Sequence, residues 1–344
     1  MKAVLLKEKS SVSVDNVRRP RPGSGDVLVK MRACGLCGSD LEKISGAYGM
    51  SSIRLGHEPA GEISHVGEEV DGFSTGDRVF VHHHVSCYSC SYCLHGDYTM
   101  CGMYQKSNID PCGLSEEFLV PRWNVSRGGL IRLPNSVTFD EASLIEPLAC
   151  CVRGIRKCEI QKGDDIAILG AGPAGLMHVS LAKIFGAGHI IVLDRNQFRL
   201  DFAKKYAKVE TLNISTLKQS TKKLLEITDQ RGVDIAILAT GSERALAQSI
   251  EITKRGGRIL LFGVPPTGSE LQLDVCHLYR NEISLIPSYG ASEIETNQAV
   301  KLLRHKRIEV RSLITHRFNI NNAAEAIEHA SKATNAMKVI VTCD

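Results

Sequence analysis

The sequence lacks the features that are typical of membrane proteins and of nucleic-acid-binding proteins. No apolar run approaches the roughly 20 residues that a membrane-spanning helix needs, so a membrane protein is not predicted. The 42 Lys and Arg and the 38 Asp and Glu residues are spread along the chain and leave a net charge of only +4. Because no basic region is concentrated, nucleic acid is not predicted as a partner.

The N-terminal stretch has no pattern typical of an export signal. "MKAVLLKEKS" returns to charged residues after a few apolar ones, whereas a signal peptide continues into a longer apolar core. The predicted location is therefore cytoplasmic. Thiols stay reduced in that compartment, so the 12 cysteines are expected to be free or metal-bound rather than paired in disulfides.

The 344 residues are enough for two domains, and the hydrophobic pattern changes along the chain. The first half contains short strand-like stretches such as "DVLVKMRACG" and "GDRVFVHHH". From about residue 164, apolar runs such as "DIAILG" and "HIIVLD" alternate with amphipathic helical stretches, which predicts a parallel sheet covered by helices. The tail after Tyr289 does not extend this alternation and is assigned to the first domain. The predicted fold class is α/β.

A glycine-rich turn follows the first of these apolar runs. "LGAGPAG" has the spacing G-x-G-x-x-G after a strand and at the start of a helix, and an acid ends the next strand 19 residues after the last glycine. This context predicts a Rossmann dinucleotide site, in which the acid accepts hydrogen bonds from the adenosine ribose. The acid favours NAD, while Arg195 and Arg199 keep NADP as the alternative. The residues predicted to contact the cofactor are Gly170, Gly172, Pro173, Ala174, Gly175, Asp194 and Arg199.

Four residues in apolar surroundings are candidate ligands of a catalytic metal. Cys37, His57 and Glu58 supply a thiolate, an imidazole and a carboxylate, which together suit Zn²⁺. Glu146 lies in the apolar stretch "SLIEPLACC". Each residue taken alone also has a purely structural interpretation, as a buried cysteine, a hydrogen-bonded histidine or an ion-paired glutamate.

The segment "CYSCSYCLHGDYTMC" places Cys87, Cys90, Cys93 and Cys101 within fifteen residues. A redox Cys-x-x-Cys would open a helix in a thioredoxin-like unit, and a nucleic-acid module would need cations, which this segment lacks. Four thiolates complete a tetrahedral zinc site and leave no position open for a substrate. The segment is therefore predicted to bind a structural zinc.

The motifs "CGSD", "GHEPAGE", "TGDRV", "EPLA" and "GAGPAGL" occur in an order that resembles the zinc-dependent medium-chain dehydrogenases, over essentially the whole chain. "LITHRF" and "MKVIVTCD" are most similar to the sorbitol branch, near threonine and sugar-alcohol dehydrogenases. The resemblance implies a GroES-like β-rich catalytic domain at 1–149 and 290–344, and a doubly wound Rossmann domain at 150–289. It also implies a homo-oligomer, a tetramer or a dimer.

The resemblance also implies residue roles. Cys37, His57, Glu58 and Glu146 match zinc ligands, and Asp40 matches the group that orients the zinc histidine. Ser39 matches a hydroxyl that relays the proton, and His84 matches an active-site histidine of threonine dehydrogenases. One departure is Glu42, which stands where sorbitol and threonine enzymes often carry a proton-path histidine.

The predicted function is therefore hydride transfer between NAD and the secondary hydroxyl of a polyol, sugar derivative or hydroxy amino acid. One catalytic and one structural zinc per chain are expected. Two alternatives remain at this point: an NADPH-dependent reductase of a carbonyl substrate, and a non-catalytic zinc- or nucleotide-binding protein that retains the fold.

Overall fold

The structure is a computed structural model that describes residues 1–7, 11–47, 54–215 and 217–343. The chain divides into two units, one formed by Met1–Ala149 with Gly290–Asp344 and the other by Cys150–Tyr289. Within the described ranges, no helix combines the length and apolar character needed to cross a membrane.

The first unit is built on a mixed seven-stranded sheet. A two-stranded antiparallel ribbon of β1 (Lys2–Leu6) and β2 (Val12–Asn16) accompanies it. The strands of the larger sheet are β3 (Val27–Gly35), β4 (Glu58–Val66), β5 (Arg78–Val81), β6 (Glu117–Val120), β7 (Leu130–Arg132), β14 (Ile314–Asn319) and β15 (Lys338–Thr342). Their order is β14-β15-β3-β4-β5-β7, with β6 paired to β3, and only β14 and β15 run parallel. The C-terminal tail thus enters this sheet through β15, which pairs with β3.

Short helices connect these strands. They are α1 (Gly38–Ser45), α2 (Ser91–Leu94), α3 (Gly102–Lys106), α4 (Arg122–Ser126), α5 (Phe139–Ala142), α12 (Glu293–Arg304) and α13 (Ala323–Lys332). The core under the sheet is apolar, with Met31, Ile63 and Phe118 almost completely buried. Cys37 and His57 each lie next to a strand end, just after β3 and just before β4, and are therefore placed by the sheet rather than by a mobile loop.

The second unit contains a six-stranded sheet in which every pairing is parallel. Its strands are β8 (Ile166–Leu169), β9 (Ile190–Asp194), β10 (Glu210–Asn213), β11 (Val233–Leu238), β12 (Thr253–Leu261) and β13 (Ser284–Pro287). The order β10-β9-β8-β11-β12-β13 is that of a doubly wound dinucleotide fold. Every residue of β8 and β9 is buried, so both faces of the sheet centre are covered. The predicted α/β class is confirmed.

The helices of this unit follow the strands in alternation. They are α7 (Pro173–Ile184), α8 (Gln197–Ala207), α9 (Leu217–Ile227), α10 (Glu243–Ile252) and α11 (Val275–Asn281). A further helix, α6 (Ile145–Lys157), begins in the first unit and ends in the second. The stretch "SERALAQSIEITKR" has a helical pattern that reaches Arg255, whereas α10 ends at Ile252 and β12 begins at Thr253. Thr253 pairs with Val233, and the ladder between β11 and β12 then shifts register.

Candidate functional site

The buried carboxylate of Asp40 connects the two segments that carry the predicted metal ligands. One oxygen accepts the backbone N–H of Cys37 (3.2 Å) and the other accepts the N–H of Gly56 (3.1 Å). The same carboxylate lies 3.3 Å from Nδ1 of His57. Burial raises the pKa of Asp40, but His57 and the hydrogen bonds outweigh it and bring the pKa to about 2. Asp40 therefore fixes His57 with Nδ1 as a donor and leaves Nε2 for a metal.

Three of the four predicted catalytic ligands meet in one place. A potential ligand atom of each of Cys37, His57 and Glu58 lies within 4.8 Å of the others. Oε2 of the fourth, Glu146, is 4.0 Å from Nε2 of His57, the nitrogen that remains available for a metal. A sulfur, a nitrogen and carboxylate oxygens form a donor set that zinc accepts. The residues present therefore fit the metal that the sequence predicts.

Glu58 has a second partner that the sequence analysis missed. Its side chain is completely buried, and Oε2 lies 2.5 Å from Nζ of Lys338, which is also buried. Burial raises the pKa of Glu58 more than the nearby Lys338 cation lowers it. Gly35 makes room for this pair, because a Cβ at that position would lie 1.8 Å from Oε2 of Glu58. The signal in the sequence was a single lysine inside the apolar strand "MKVIVTC".

Ser39 and Glu42 lie on α1, close to Cys37 in the chain. Both side chains are partly exposed, in contrast to the buried Asp40 between them. Burial raises the pKa of Glu42. The first turn of α1 thus presents the predicted relay hydroxyl near the candidate ligand Cys37, and a carboxyl group replaces the imidazole expected at position 42.

The three histidines that follow β5 lie beside this cluster in a definite order. The ring centroid of His83 is 5.2 Å from that of His57 and 3.9 Å from that of His84. Nδ1 of His84 donates to the carbonyl of Ser107 (2.5 Å), and burial lowers the pKa of His84 to about 3. His84 is the histidine for which the family resemblance implies an active-site role, and the imidazole that packs against His57 belongs to its neighbour His83. A run of three histidines gives no sequence signal that distinguishes its members.

The four cysteines of residues 87–101 converge as predicted, and we call this segment the four-cysteine lobe. The sulfur of Cys93 lies 3.9 Å from that of Cys87 and 3.6 Å from that of Cys90. Four sulfurs at the usual Zn–S distance of about 2.3 Å would lie roughly 3.8 Å apart. Hydrogen bonds from Ser89 and from the Cys90 N–H lower the pKa of Cys87 to about 5, which favours the thiolate that binds metal. The geometry of this donor set fits a closed zinc site.

In the second unit, the glycine-rich turn has the geometry of a nucleotide loop. Gly170 has φ +111°, and a Cβ at Gly175 would lie 1.9 Å from the carbonyl oxygen of Gly170. Gly172 caps α7, and Pro173 and Ala174 form its first turn. The carboxylate of Asp194 accepts the N–H of Ala171 (2.7 Å) and that of Asn196 (2.8 Å).

The side chain of Arg199 reaches the same loop. Its Nη1 lies 3.8 Å from the position that a Cβ would take at Gly172. Its Nε is buried and has no hydrogen-bond partner among the described residues. All the residues predicted to contact the cofactor therefore lie around one helix N-terminus, where backbone N–H groups and a cation favour phosphate.

These two units, a β-rich unit with a thiolate–imidazole–carboxylate cluster and a doubly wound sheet with a nucleotide loop, define a zinc-binding dehydrogenase. The family profile described as "Alcohol dehydrogenase GroES-like domain" matches residues 23–131, and that described as "Zinc-binding dehydrogenase" matches residues 173–305.

Similar proteins span the whole chain. Sorbitol dehydrogenase of Bacillus subtilis (strain 168) is 33% identical over 99% of this chain and 97% of its own. L-threonine 3-dehydrogenase of Colwellia psychrerythraea is 28% identical over 94% of each chain. A crystal structure described as a zinc-binding dehydrogenase of Sinorhizobium meliloti 1021, bound to NADP, is 28% identical and superimposes with a TM-score of 0.87 over 99% of each chain. The chain belongs to the zinc-binding alcohol dehydrogenase family.

The buried ion pair predicts a stability effect. Replacing Lys338 by Met leaves the Glu58 carboxylate buried without its cation, and we expect the free energy of unfolding to fall by about 3 kcal/mol. Urea denaturation of the metal-free protein, followed by circular dichroism, measures this change. The double variant Glu58→Gln/Lys338→Met should recover most of the loss. Equal stability of Lys338→Met and the wild type would contradict the pairing.

The two candidate metal sites predict a zinc count. Elemental analysis of the wild type should give about two zinc ions per chain, and Cys93→Ser should retain about one and melt at a lower temperature. Cys276→Ser, which changes an exposed cysteine on α11, is the matched control and should keep both zinc ions and the wild-type melting temperature. A wild type with a single zinc would show that one of the two clusters is misassigned.

Proposed function

We propose that the protein catalyses reversible hydride transfer between NAD and the secondary hydroxyl of a small alcohol. The observation that carries this proposal is the convergence of the ligand atoms of Cys37, His57 and Glu58 within 4.8 Å of one another. In this proposal, residues 1–149 with 290–344 form the catalytic domain, and residues 150–289 bind the cofactor.

A zinc ion held by Cys37, His57 and a carboxylate of Glu146 or Glu58 would act as a Lewis acid and lower the pKa of a bound hydroxyl. Asp40 positions His57 through its Nδ1 hydrogen bond, and it positions Cys37 through the backbone N–H. The hydroxyl of Ser39 receives the proton that leaves the alcohol and passes it toward solvent. NAD, when bound, accepts the hydride, and the alcohol becomes a ketone.

His84 and His83 contribute to the substrate site in this proposal. Their rings pack together, and His83 separates His84 from His57. Because Nδ1 of His84 donates to the carbonyl of Ser107, its neutral Nε2 is left to accept a hydrogen bond from a substrate hydroxyl. The similarity to a sorbitol dehydrogenase and a threonine dehydrogenase supports a polyol, a sugar derivative or a hydroxy amino acid as the substrate class.

NAD is the proposed cofactor because of Asp194. Its carboxylate is fixed beside the glycine-rich loop by two backbone N–H groups, where it would repel the 2′-phosphate of NADP. The alternative, an NADPH-dependent carbonyl reductase, is supported by the NADP-bound relative and by Arg199. A structural zinc in the four-cysteine lobe completes the proposal.

The assembly and location of the protein are also proposals. A homo-oligomer, a tetramer or a dimer, is supported by exposed apolar side chains on the four-cysteine lobe, where Leu94 is 75% and Met100 43% exposed. A cytoplasmic location is supported by the two thiolate-containing metal clusters, which require reduced cysteines. Light scattering and cell fractionation test these two points.

A substrate panel tests the function. Polyols, sugar alcohols and threonine with NAD, and the matching carbonyl compounds with NADPH, are followed by the absorbance of the reduced nicotinamide. Oxidation of a polyol or hydroxy amino acid with NAD is the expected result. Cys37→Ser should lower turnover by more than about 100-fold, because it removes a direct ligand, yet it should still bind NADH. Faster turnover of carbonyls with NADPH would support the reductase, and no turnover of any pair would indicate a non-catalytic protein.

The cofactor preference is a separate prediction. The wild type should have a higher kcat/KM with NAD than with NADP. Asp194→Asn keeps an oxygen that accepts the N–H of Ala171 but removes the charge, so we expect the preference for NAD to fall by about 10-fold. Steady-state kinetics with both cofactors measures the ratio. A wild-type preference for NADP would mean that Arg199 dominates the site.

A further inference from the structure

The histidine triplet, His82 to His84, is fixed by contacts at each of its residues. The side-chain amide of Asn124 donates to the carbonyls of both His82 (3.3 Å) and His83 (2.8 Å). Nδ1 of His84 donates to the carbonyl of Ser107. Hydrogen bonds from Asn124 and to Ser107 therefore fix the backbone that places the His83 ring against His57.

The side chain of His82 has a different kind of partner. His82 is completely buried, and its Nδ1 donates to Oε1 of Glu293 (3.1 Å) at the start of α12. Glu293 is itself buried, with an exposed fraction of 5%. A buried carboxylate needs partners for both of its oxygens. The second oxygen, Oε2, accepts the hydroxyl of Tyr88.

Tyr88 belongs to the four-cysteine lobe, where it lies between the first two cysteines. Its φ of +60° falls in the left-handed region, which is uncommon for a residue other than glycine. Such a conformation persists only where the surroundings determine it. Here the surroundings are the Cys87 sulfur, which accepts the N–H groups of Ser89 (3.4 Å) and Cys90 (3.3 Å), and the carboxylate of Glu293.

A continuous set of contacts thus runs from the four-cysteine lobe to the candidate catalytic cluster. Tyr88 bonds to Glu293, Glu293 bonds to His82, and the next residue, His83, packs against the ring of His57. We propose that Glu293 is a positioning residue that couples the four-cysteine lobe to His83, so that order in the lobe sets the substrate-binding geometry beside His57. The expected change in KM rests on the proposed function, whereas the link between the lobe and His82 does not.

The test compares two tyrosines of the same lobe. Tyr88→Phe removes only the hydroxyl that bonds to Glu293, whereas Tyr92→Phe removes a hydroxyl from a side chain that is 54% exposed, and is the matched control. Both proteins are prepared with zinc and with isotope-labelled histidine. NMR then records the imidazole signals of His82 and His83, and steady-state kinetics record kcat and the KM values for alcohol and NAD.

We expect Tyr88→Phe to move the His82 and His83 signals and to raise the KM for the alcohol by about 10-fold, as is usual when a group behind an active site is removed. The KM for NAD should not change, and Tyr92→Phe should behave as the wild type in every measurement. Glu293→Gln, which removes the charge at the centre of the set, should have an effect at least as large as that of Tyr88→Phe.

Two results would overturn the coupling. In the first, the histidine signals of Tyr88→Phe coincide with those of Tyr92→Phe. In the second, the signals move but the KM for the alcohol is unchanged, which would make the contacts purely structural. A wild type without turnover of any alcohol or carbonyl would contradict the proposed function instead, and the NMR comparison would still decide whether the lobe and His82 are linked.

Discussion

The hydrogen bonds of the Asp40 carboxylate are the constraint on which the candidate metal cluster depends. Its oxygens contact the segment after β3, through the N–H of Cys37, and the segment before β4, through the N–H of Gly56 and the ring of His57. Residues 38–55 join the two segments and include α1 and residues 48–53, which lie outside the described ranges. The ladder between β3 and β4 brings these segments together by pairing Gly35 with Glu58, and the carboxylate then adds the contacts that hold Cys37 and His57 within it. The low pKa of Asp40 follows from the same contacts, which all favour its charged form.

Glu58 forms a buried ion pair in addition to its place among the candidate ligands. It lies among the potential ligand atoms and also pairs with Lys338, so a bound metal and the lysine would share one buried carboxylate. Lys338 enters from β15, the strand that brings the C-terminal tail into the sheet beside β3. The tail therefore supplies the cation that makes a completely buried glutamate tolerable. The assignment of this tail to the first unit has a chemical consequence as well as a topological one.

The features that the sequence predicts correctly are those that depend on residues close together in the chain. The glycine spacing and the acid that follows it are set by one turn and two adjacent strands, and the four cysteines lie within fifteen residues, so their convergence needs little of the fold. The alternation of apolar runs and amphipathic stretches predicted the parallel sheet for the same reason. The helical pattern of residues 242–255 extends past the end of α10, because Thr253 pairs with Val233 of β11, a contact that the periodicity of the stretch does not report.

The residues that the sequence analysis missed act over long separations in the chain. Lys338 reaches Glu58 across 280 positions of sequence only because β15, β3 and β4 are neighbours in one sheet. Glu293 contacts His82 and Tyr88 at separations of 211 and 205 residues. The two candidate metal sites differ in the same way, since the lobe draws its cysteines from one short segment and the candidate catalytic cluster draws its residues from three. A closed site built from one short segment can order when metal binds, whereas an open site built from distant segments needs the sheet and the Asp40 carboxylate already in place. The contacts from Tyr88 through Glu293 to His82 therefore join the locally built lobe to the histidines beside the cluster that the fold assembles.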